Sequence, residues 1–257
     1  MSNLFGLEFG KLFRLSSLRF SLVLLAVFPL LWAYAPGIYN VYGFYIVSAF
    51  QVPALSLLSS MEFLLPLLVA IASAELLGIE IAYGTLPTVL LRPVTRSQWL
   101  LAKLLVAAVY PFILLTIFFG FSLVAGSPLG FGDFIGGTGV GVGGLLGEGL
   151  TSAPAALGEL ARAYLIAAAS LVPISLLAVL FTVIFMNASA GALATLSVLI
   201  FMQLLVVFPS LGPFLLTSQL NAYVTPVAGT GWVLTLIALY SAIFAAIAVV
   251  IFERKDF

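Results

Sequence analysis

The sequence predicts an all-α integral membrane protein with six transmembrane helices in a single domain, and three observations carry that prediction. The 257-residue chain is 63% hydrophobic and only 7% charged, with a mean hydropathy of +1.29, whereas a soluble domain carries about 25% charged residues. Six apolar runs approach or exceed the roughly 18–20 residues that cross a bilayer. Once six spans are laid out with both chain ends on one side, Lys11, Arg14, Arg19, Arg92, Arg96, Lys103, Arg254 and Lys255 share that side, leaving Arg162 opposite. Basic residues accumulate on the cytoplasmic side of membrane proteins. The expected location is therefore the inner (cytoplasmic) membrane, multi-pass, with both termini cytoplasmic.

The composition removes several chemistries. There is no cysteine and no histidine, which excludes thiolate catalysis, histidine-ligated metals and a Ser-His-Asp hydrolase. Four methionines are too few for a soft-metal path. With nine basic and nine acidic residues and no basic block, nothing points to nucleic acid.

Residues 3–19 pattern as an amphipathic helix, with Phe5, Phe9, Leu12 and Phe13 on one face and Glu8, Lys11 and Arg14 on the other. Such a helix is expected to lie in the interface plane with its basic groups toward lipid phosphates. The first span is predicted at 20–35, bent by Pro29 and closed by Trp32 and Tyr34 as an aromatic belt. No small-residue cleavage site follows it, so it is expected to remain as an anchor. Residues 38–54 are rich in aromatics and fit either an interfacial helix or the start of a long second span, which is placed at 55–79.

The third span is predicted at 99–125, with Thr95 or Ser97 as cap. Residues 126–149 hold eleven glycines, and the segment 126–160 is expected as an extracytoplasmic loop. Its glycine run is not preceded by a strand and lacks a closing Gly-Lys-Ser/Thr, so it does not read as a phosphate loop. A helix is expected to start at 154, ahead of a fourth span at 163–186. Residues 187–191 form a tight turn, the fifth span covers 192–208, and 209–231 reads as an outer re-entrant or interfacial segment. The sixth span is predicted at 232–252.

Two places carry candidate chemistry. Glu62 and Glu75 lie thirteen residues apart in the second span, about 20 Å at 1.5 Å per residue. An intramembrane acid faces protein or water rather than lipid, which makes this pair the candidate translocation path. The second place is the polar, proline-punctuated stretch 80–98 between two spans. Glu80 ends a helix, Tyr83-Gly84-Thr85-Leu86 turns, Pro87 suits the first turn of a short helix, and Arg92-Pro93 ends it because the residue before proline avoids the α region. A short helix held between two spans can pass a push from a soluble partner into the membrane core; an ordinary topology-fixing loop would show much of the same pattern.

The run Glu80-xxx-Gly84-Thr85-Leu86, then Leu90-Leu91-Arg92-Pro93-Val94-Thr95-Arg96-Ser97, then Leu100-Leu101-Ala102-Lys103 resembles the hallmark region of ABC type-2 permeases. The likeness is to the branch of sodium, bacitracin and copper-site-maturation exporters. An N-terminal elbow helix, six spans, a Gly/Pro-rich last outer loop and the closing Phe252-Glu253-Arg254-Lys255-Asp256-Phe257 are similar in layout. Pro87 departs from the pattern, which often has a basic or polar residue there, and the loop after the third span is unusually long and glycine-rich.

The resemblance implies a non-catalytic membrane subunit of an ATP-driven exporter. It implies a separate ABC ATPase subunit that binds ATP and Mg, with no cofactor on this chain, and a second permease copy or sister permease. It assigns coupling to the ATPase to Glu80, Tyr83, Gly84, Thr85, Leu86, Leu90, Leu91, Arg92, Pro93 and Arg96. This chain has no Gly-xxxx-Gly-Lys-Ser/Thr motif of its own. An ATP-independent secondary transporter or channel is the alternative, with Glu62 and Glu75 as its ion sites.

Overall fold

The computed structural model describes residues 2–35, 46–85, 95–135, 145–146, 149–224 and 227–255. Helix α1 spans Ser2–Leu12 and α2 spans Ser16–Tyr34. Helices α3 (Gln51–Met61), α4 (Leu64–Ala82), α5 (Arg96–Gly126), α6 (Ala153–Phe185) and α7 (Ala188–Leu205) follow. The short α8 (Leu216–Gln219) and the long α9 (Val227–Glu253) complete the chain. Among the described residues, six helices are long and apolar enough to cross a membrane: α2, α4, α5, α6, α7 and α9.

Helix α6 is the axis of the bundle. It packs against α4, α5, α7 and α9, and Leu171, Ile174, Ala178 and Val179 are fully buried along it. Small residues allow the closest approaches, as expected between helices that lack a hydrophobic drive in lipid. A Cβ on Gly78 of α4 would overlap the Cβ of Ala188 on α7, and one on Gly191 of α7 would overlap Thr182 of α6. The outward faces of α2, α7 and α9 present Phe20, Val27, Leu193, Ile200, Leu239 and Val250, the surface a lipid-facing helix requires.

The spans alternate, so the bundle has two ends. The charged end gathers α1, the C-terminus of α4, the N-terminus of α5, the C-terminus of α6 and the C-terminus of α9. The loop end gathers α3, the 3-10 turn Ser127–Leu129, a two-residue antiparallel pair (β1, Phe134–Ile135; β2, Leu150–Thr151) and α8. Within the segment 126–160, the residues 136–144 and 147–148 lie outside the described residues.

Several boundaries differ from the sequence expectation for physical reasons. The elbow helix ends at Leu12 rather than near 19, and the first span begins at Ser16, because the chain turns at Phe13–Leu15, where Leu15 is extended at ψ 137°. The second span is not one helix over 55–79. It breaks at Glu62-Phe63 into α3 and α4, with Phe63 at φ −141°, ψ −49°. Pro66 explains the break: its ring has no N–H for the Glu62 carbonyl and would collide with it in a continuous helix. Helix α3 has eleven residues, too few to span, and nearly all are buried against the bundle.

The helix expected at 154 and the fourth span are one continuous helix of 33 residues, about 50 Å long. Its first N–H groups are satisfied from a distance. Ser152 makes no side-chain cap, and Asp133 Oδ1 instead accepts from the Ala153 N–H at 2.9 Å. The β1–β2 pair, with Phe134 opposite Thr151, brings Asp133 to that position. At the start of α5, Thr95 and Gln98 form a reciprocal capping box. Residues 209–224 fold as two 3-10 turns around α8, with Leu216, Ala222 and Tyr223 buried, and 227–231, expected to belong to this outer segment, already form the start of α9; among the described residues of this segment there is no additional membrane crossing.

Candidate functional site at the charged end

Four charges meet at the charged end in a nearly closed network. Glu8 of α1 is 3% exposed, Glu80 of α4 is 7% exposed and Lys103 of α5 is 1% exposed. Lys11 Nζ donates to Glu8 Oε1 at 2.5 Å and to Glu80 Oε1 at 2.6 Å. Lys103 Nζ donates to Glu8 Oε2 at 2.8 Å and to the Leu76 carbonyl at 2.7 Å, and lies 3.2 Å from Glu80 Oε1. The Trp99 ring stands under the same ammonium at 4.8 Å. Lys103 sits about 10 Å along α5 from its first residue, so its charge is held within the apolar bundle only because two carboxylates and a carbonyl surround it.

Burial alone would raise the Glu8 carboxyl. The ammonium groups of Lys103 and then Lys11 outweigh it and hold Glu8 below the ordinary carboxylate range. Burial likewise works against the Lys11 charge, and hydrogen bonds to Glu8 and Glu80 overcome it, leaving Lys11 above the ordinary lysine range.

The network pins α1 to both walls of the segment 86–94. On the α4 side, the helix closes with a left-handed Gly84 at φ +63°. Thr85 N–H donates to the Glu80 carbonyl at 3.0 Å and Gly84 N–H to Ile81 at 3.1 Å, the paired 6→1 and 5→2 bonds of a Schellman end. Tyr83 is 79% exposed beyond it. On the α5 side, Arg96 Nη1 donates to the Lys255 carbonyl at 2.9 Å, Ser97 Oγ bonds Glu253, and Trp99 stacks on Phe252 at 5.4 Å. Lys255 Nζ in turn donates to the Val183 and Ile184 carbonyls, 2.7 Å each, capping the last turn of α6. Elements from both halves of the chain therefore converge on the described residues that flank segment 86–94.

The structure sorts the sequence-derived candidates. Tyr83, Gly84, Thr85 and Arg96 stand at this surface, whereas Leu86, Leu90, Leu91, Arg92 and Pro93 lie outside the described residues. Glu80 is turned inward and ion-paired, and α4 continues past it to Ala82. The elbow helix is keyed into the bundle rather than lying free of it: Glu8 is buried against Lys103, and the half-exposed Lys11 reaches Glu80. Phe13, expected on the apolar face with Leu12, is 47% exposed, while Leu12 is fully buried.

Glu62 and Glu75 are not brought together. Glu75 Oε2 accepts weakly from the Ser17 N–H at 3.4 Å, at the first turn of α2 and thus toward the charged end. Glu62 is at the α3–α4 break toward the loop end. Sequence reasoning missed the Glu8–Lys103 pairing, although a lysine two turns inside an apolar span was a signal that a carboxylate partner had to exist.

Six membrane-crossing helices with α6 central among them, and a charged layer at one end on either side of segment 86–94, define a polytopic membrane protein of the permease kind. The chain belongs to the ABC-2 family of transporter proteins, whose family model matches residues 4–182. The match runs from α1 into the last turn but one of α6 and contains the whole charged network. No curated protein matches the chain. Membership in the family makes this chain the transmembrane component of an ABC transporter, with an ABC ATPase subunit as its partner, and a membrane subunit rather than an enzyme.

Proposed function

We propose that this chain is the permease of an ATP-driven exporter and that segment 80–98 receives the movement of its ATPase subunit. The observation that carries this reading is the buried Glu8–Lys11–Glu80–Lys103 network, which makes the elbow, the end of α4 and the start of α5 one rigid frame around residues 86–94. A push on that loop moves three helices together. The basic residues of the described charged end, against Arg162 at the loop end, support a cytoplasmic position for it. ATP and Mg would be held by the partner, and a dimer of permeases, of two copies or with a sister chain, would face a dimer of ATPases.

The test is a pull-down of the tagged chain from its native membrane in mild detergent, with mass spectrometry of what accompanies it. A stoichiometric subunit carrying a Walker motif is expected. Recovery of the chain alone at full yield would move the reading to an ATP-independent carrier. Within the complex, R92A/P93A is expected to abolish transport and uncouple ATP turnover while membrane insertion stays normal; unchanged transport would remove the loop from the coupling role.

A further inference from the structure

At the loop end, a cavity of about 260 Å³ opens sideways between the start of α4, the last turns of α7 and α8. Pro66, Leu196, Leu199, Ile200 and Leu220 form its apolar wall. Its polar lining residues are Glu62 at the helix break, Gln203 near the end of α7 and Thr217 of α8. Gln203 and Leu196 are seven residues apart on α7, about 10 Å, so polarity falls from the membrane boundary toward the interior over that length.

Two observations mark this cavity as built for an occupant. Thr217 is 6% exposed, yet its Oγ1 has no hydrogen-bond partner among the described residues, an unfavourable state unless something completes it. The exposed Glu62 has no ion pair or hydrogen bond among the described residues, whereas Glu8 is paired through both oxygens and Glu80 through Oε1. The neighbouring Tyr223 stays neutral: burial first, and the Glu62 charge second, hold its phenol above the ordinary range, so it adds no second negative charge.

We infer that this cavity binds a membrane-partitioned, single-chain amphiphile with a protonated amine head. The ammonium pairs with Glu62 and donates to Gln203 Oε1 and, once χ1 turns its hydroxyl into the cavity, to Thr217 Oγ1, and the alkyl tail lies along Leu196, Leu199 and Ile200. The volume admits about nine water-sized groups at ~30 Å³ each, which suits an amine with a short chain and is too small for a two-chain phospholipid. Binding stands on the cavity alone; that the amphiphile is the cargo rests on the transporter reading above. An ATPase absent from the pull-down would remove the cargo claim and leave the site, whereas failure of the labelling below would remove the site and leave the transporter.

The experiment is photolabelling of the full chain, with any associated ATPase, in phosphatidylcholine nanodiscs, whose choline heads have no N–H donor. The probe is octylamine carrying a chain diazirine, and the control is the matched octanol. Preferential amine labelling of peptides containing Leu196–Leu204 is expected, lowered about tenfold by Glu62→Gln, the loss of one charge-assisted contact, and blocked by Ile200→Trp. Monodisperse elution in size-exclusion chromatography confirms that each variant is folded, and Glu62→Gln, altered at an exposed position, carries the test if Ile200→Trp fails it. Equal labelling by amine and alcohol, or an amine preference that survives Glu62→Gln, overturns the inference. So does a two-chain phospholipid retained at the site in native mass spectrometry. Disulfide-linked dimers of Ile200→Cys, introduced into this cysteine-free chain, would assign the groove to a second copy and equally overturn it.

Discussion

Replacing Lys103 with methionine tests the charged frame most directly. The side chain is 1% exposed and serves three acceptors: Glu8 Oε2 at 2.8 Å, Leu76 O at 2.7 Å and Glu80 Oε1 at 3.2 Å. Methionine keeps most of the volume and removes the charge. Two buried carboxylates are then left to share the half-exposed Lys11. Breaking a buried pair by removing one partner costs about 3–5 kcal/mol, and that range is expected for Lys103→Met. Adding Glu8→Gln restores neutrality and leaves the Lys11–Glu80 contact at 2.6 Å in place. The double variant is expected to recover at least about 2 kcal/mol of the summed single losses, a coupling within the range for residues of one network. The assay is equilibrium unfolding of the four proteins in mixed micelles by SDS titration. A loss below about 1 kcal/mol for Lys103→Met, or strict additivity in the cycle, would refute the idea that these ions hold one another in the bundle.

Other outcomes follow from neighbouring features. The network gives a pH window. Glu8 is held below its ordinary 4.5, so its contribution is present above that pH and is lost as pH falls through the folded value. Lys11 is held above 10.5, so its contribution is present below that pH and is lost as pH rises further. Thermal stability should be flat between those limits and fall outside them, and Glu8→Gln should blunt the acid limb. Gly78→Ala and Gly191→Ala should each destabilise by about 1–3 kcal/mol through overpacking. Gly6→Ala, with nothing within 4 Å of a new Cβ, should be neutral or slightly stabilising; thermal unfolding read by size-exclusion chromatography separates the two classes. Asp133→Ala should cost about 1 kcal/mol by leaving the first turn of α6 without its acceptor, and faster hydrogen exchange at Ala153 would report it.

The spans were legible because lipid demands long apolar helices, and the composition admits no other fold. Thr95 was legible as a cap because its partner, Gln98, is three residues away. The break at Glu62 could have been read from Pro66, but the high average hydropathy over 55–79 hides a backbone discontinuity, since a window average does not register where one proline or one acid falls. Asp133 as the cap of α6 was not legible, because twenty residues and a strand pair intervene. The charged network was half legible. Helical spacing placed Glu8 and Lys11 on one face of α1, yet a helical face does not say what covers it. Glu8 meets Lys103 across ninety-five residues of sequence, and that distance separates an interfacial helix lying on lipid from one keyed into the bundle. The polar lining of the cavity needed three segments, from α3–α4, α7 and α8, to come together.

The length of α6 has a mechanical consequence. A hydrocarbon slab is about 30 Å thick, and α6 runs about 50 Å without interruption. Its final turn is gripped by Lys255, and its first residue is held by Asp133. Each 5° of tilt about the gripped turn carries the opposite tip through about 4 Å on that length. A small rotation of that gripped turn would therefore displace the opposite tip, and with it the β1–β2 pair that carries Asp133. Pro173, inside the helix, is where the arm can give, and the stiffness at that residue sets how much of the stroke reaches the far side.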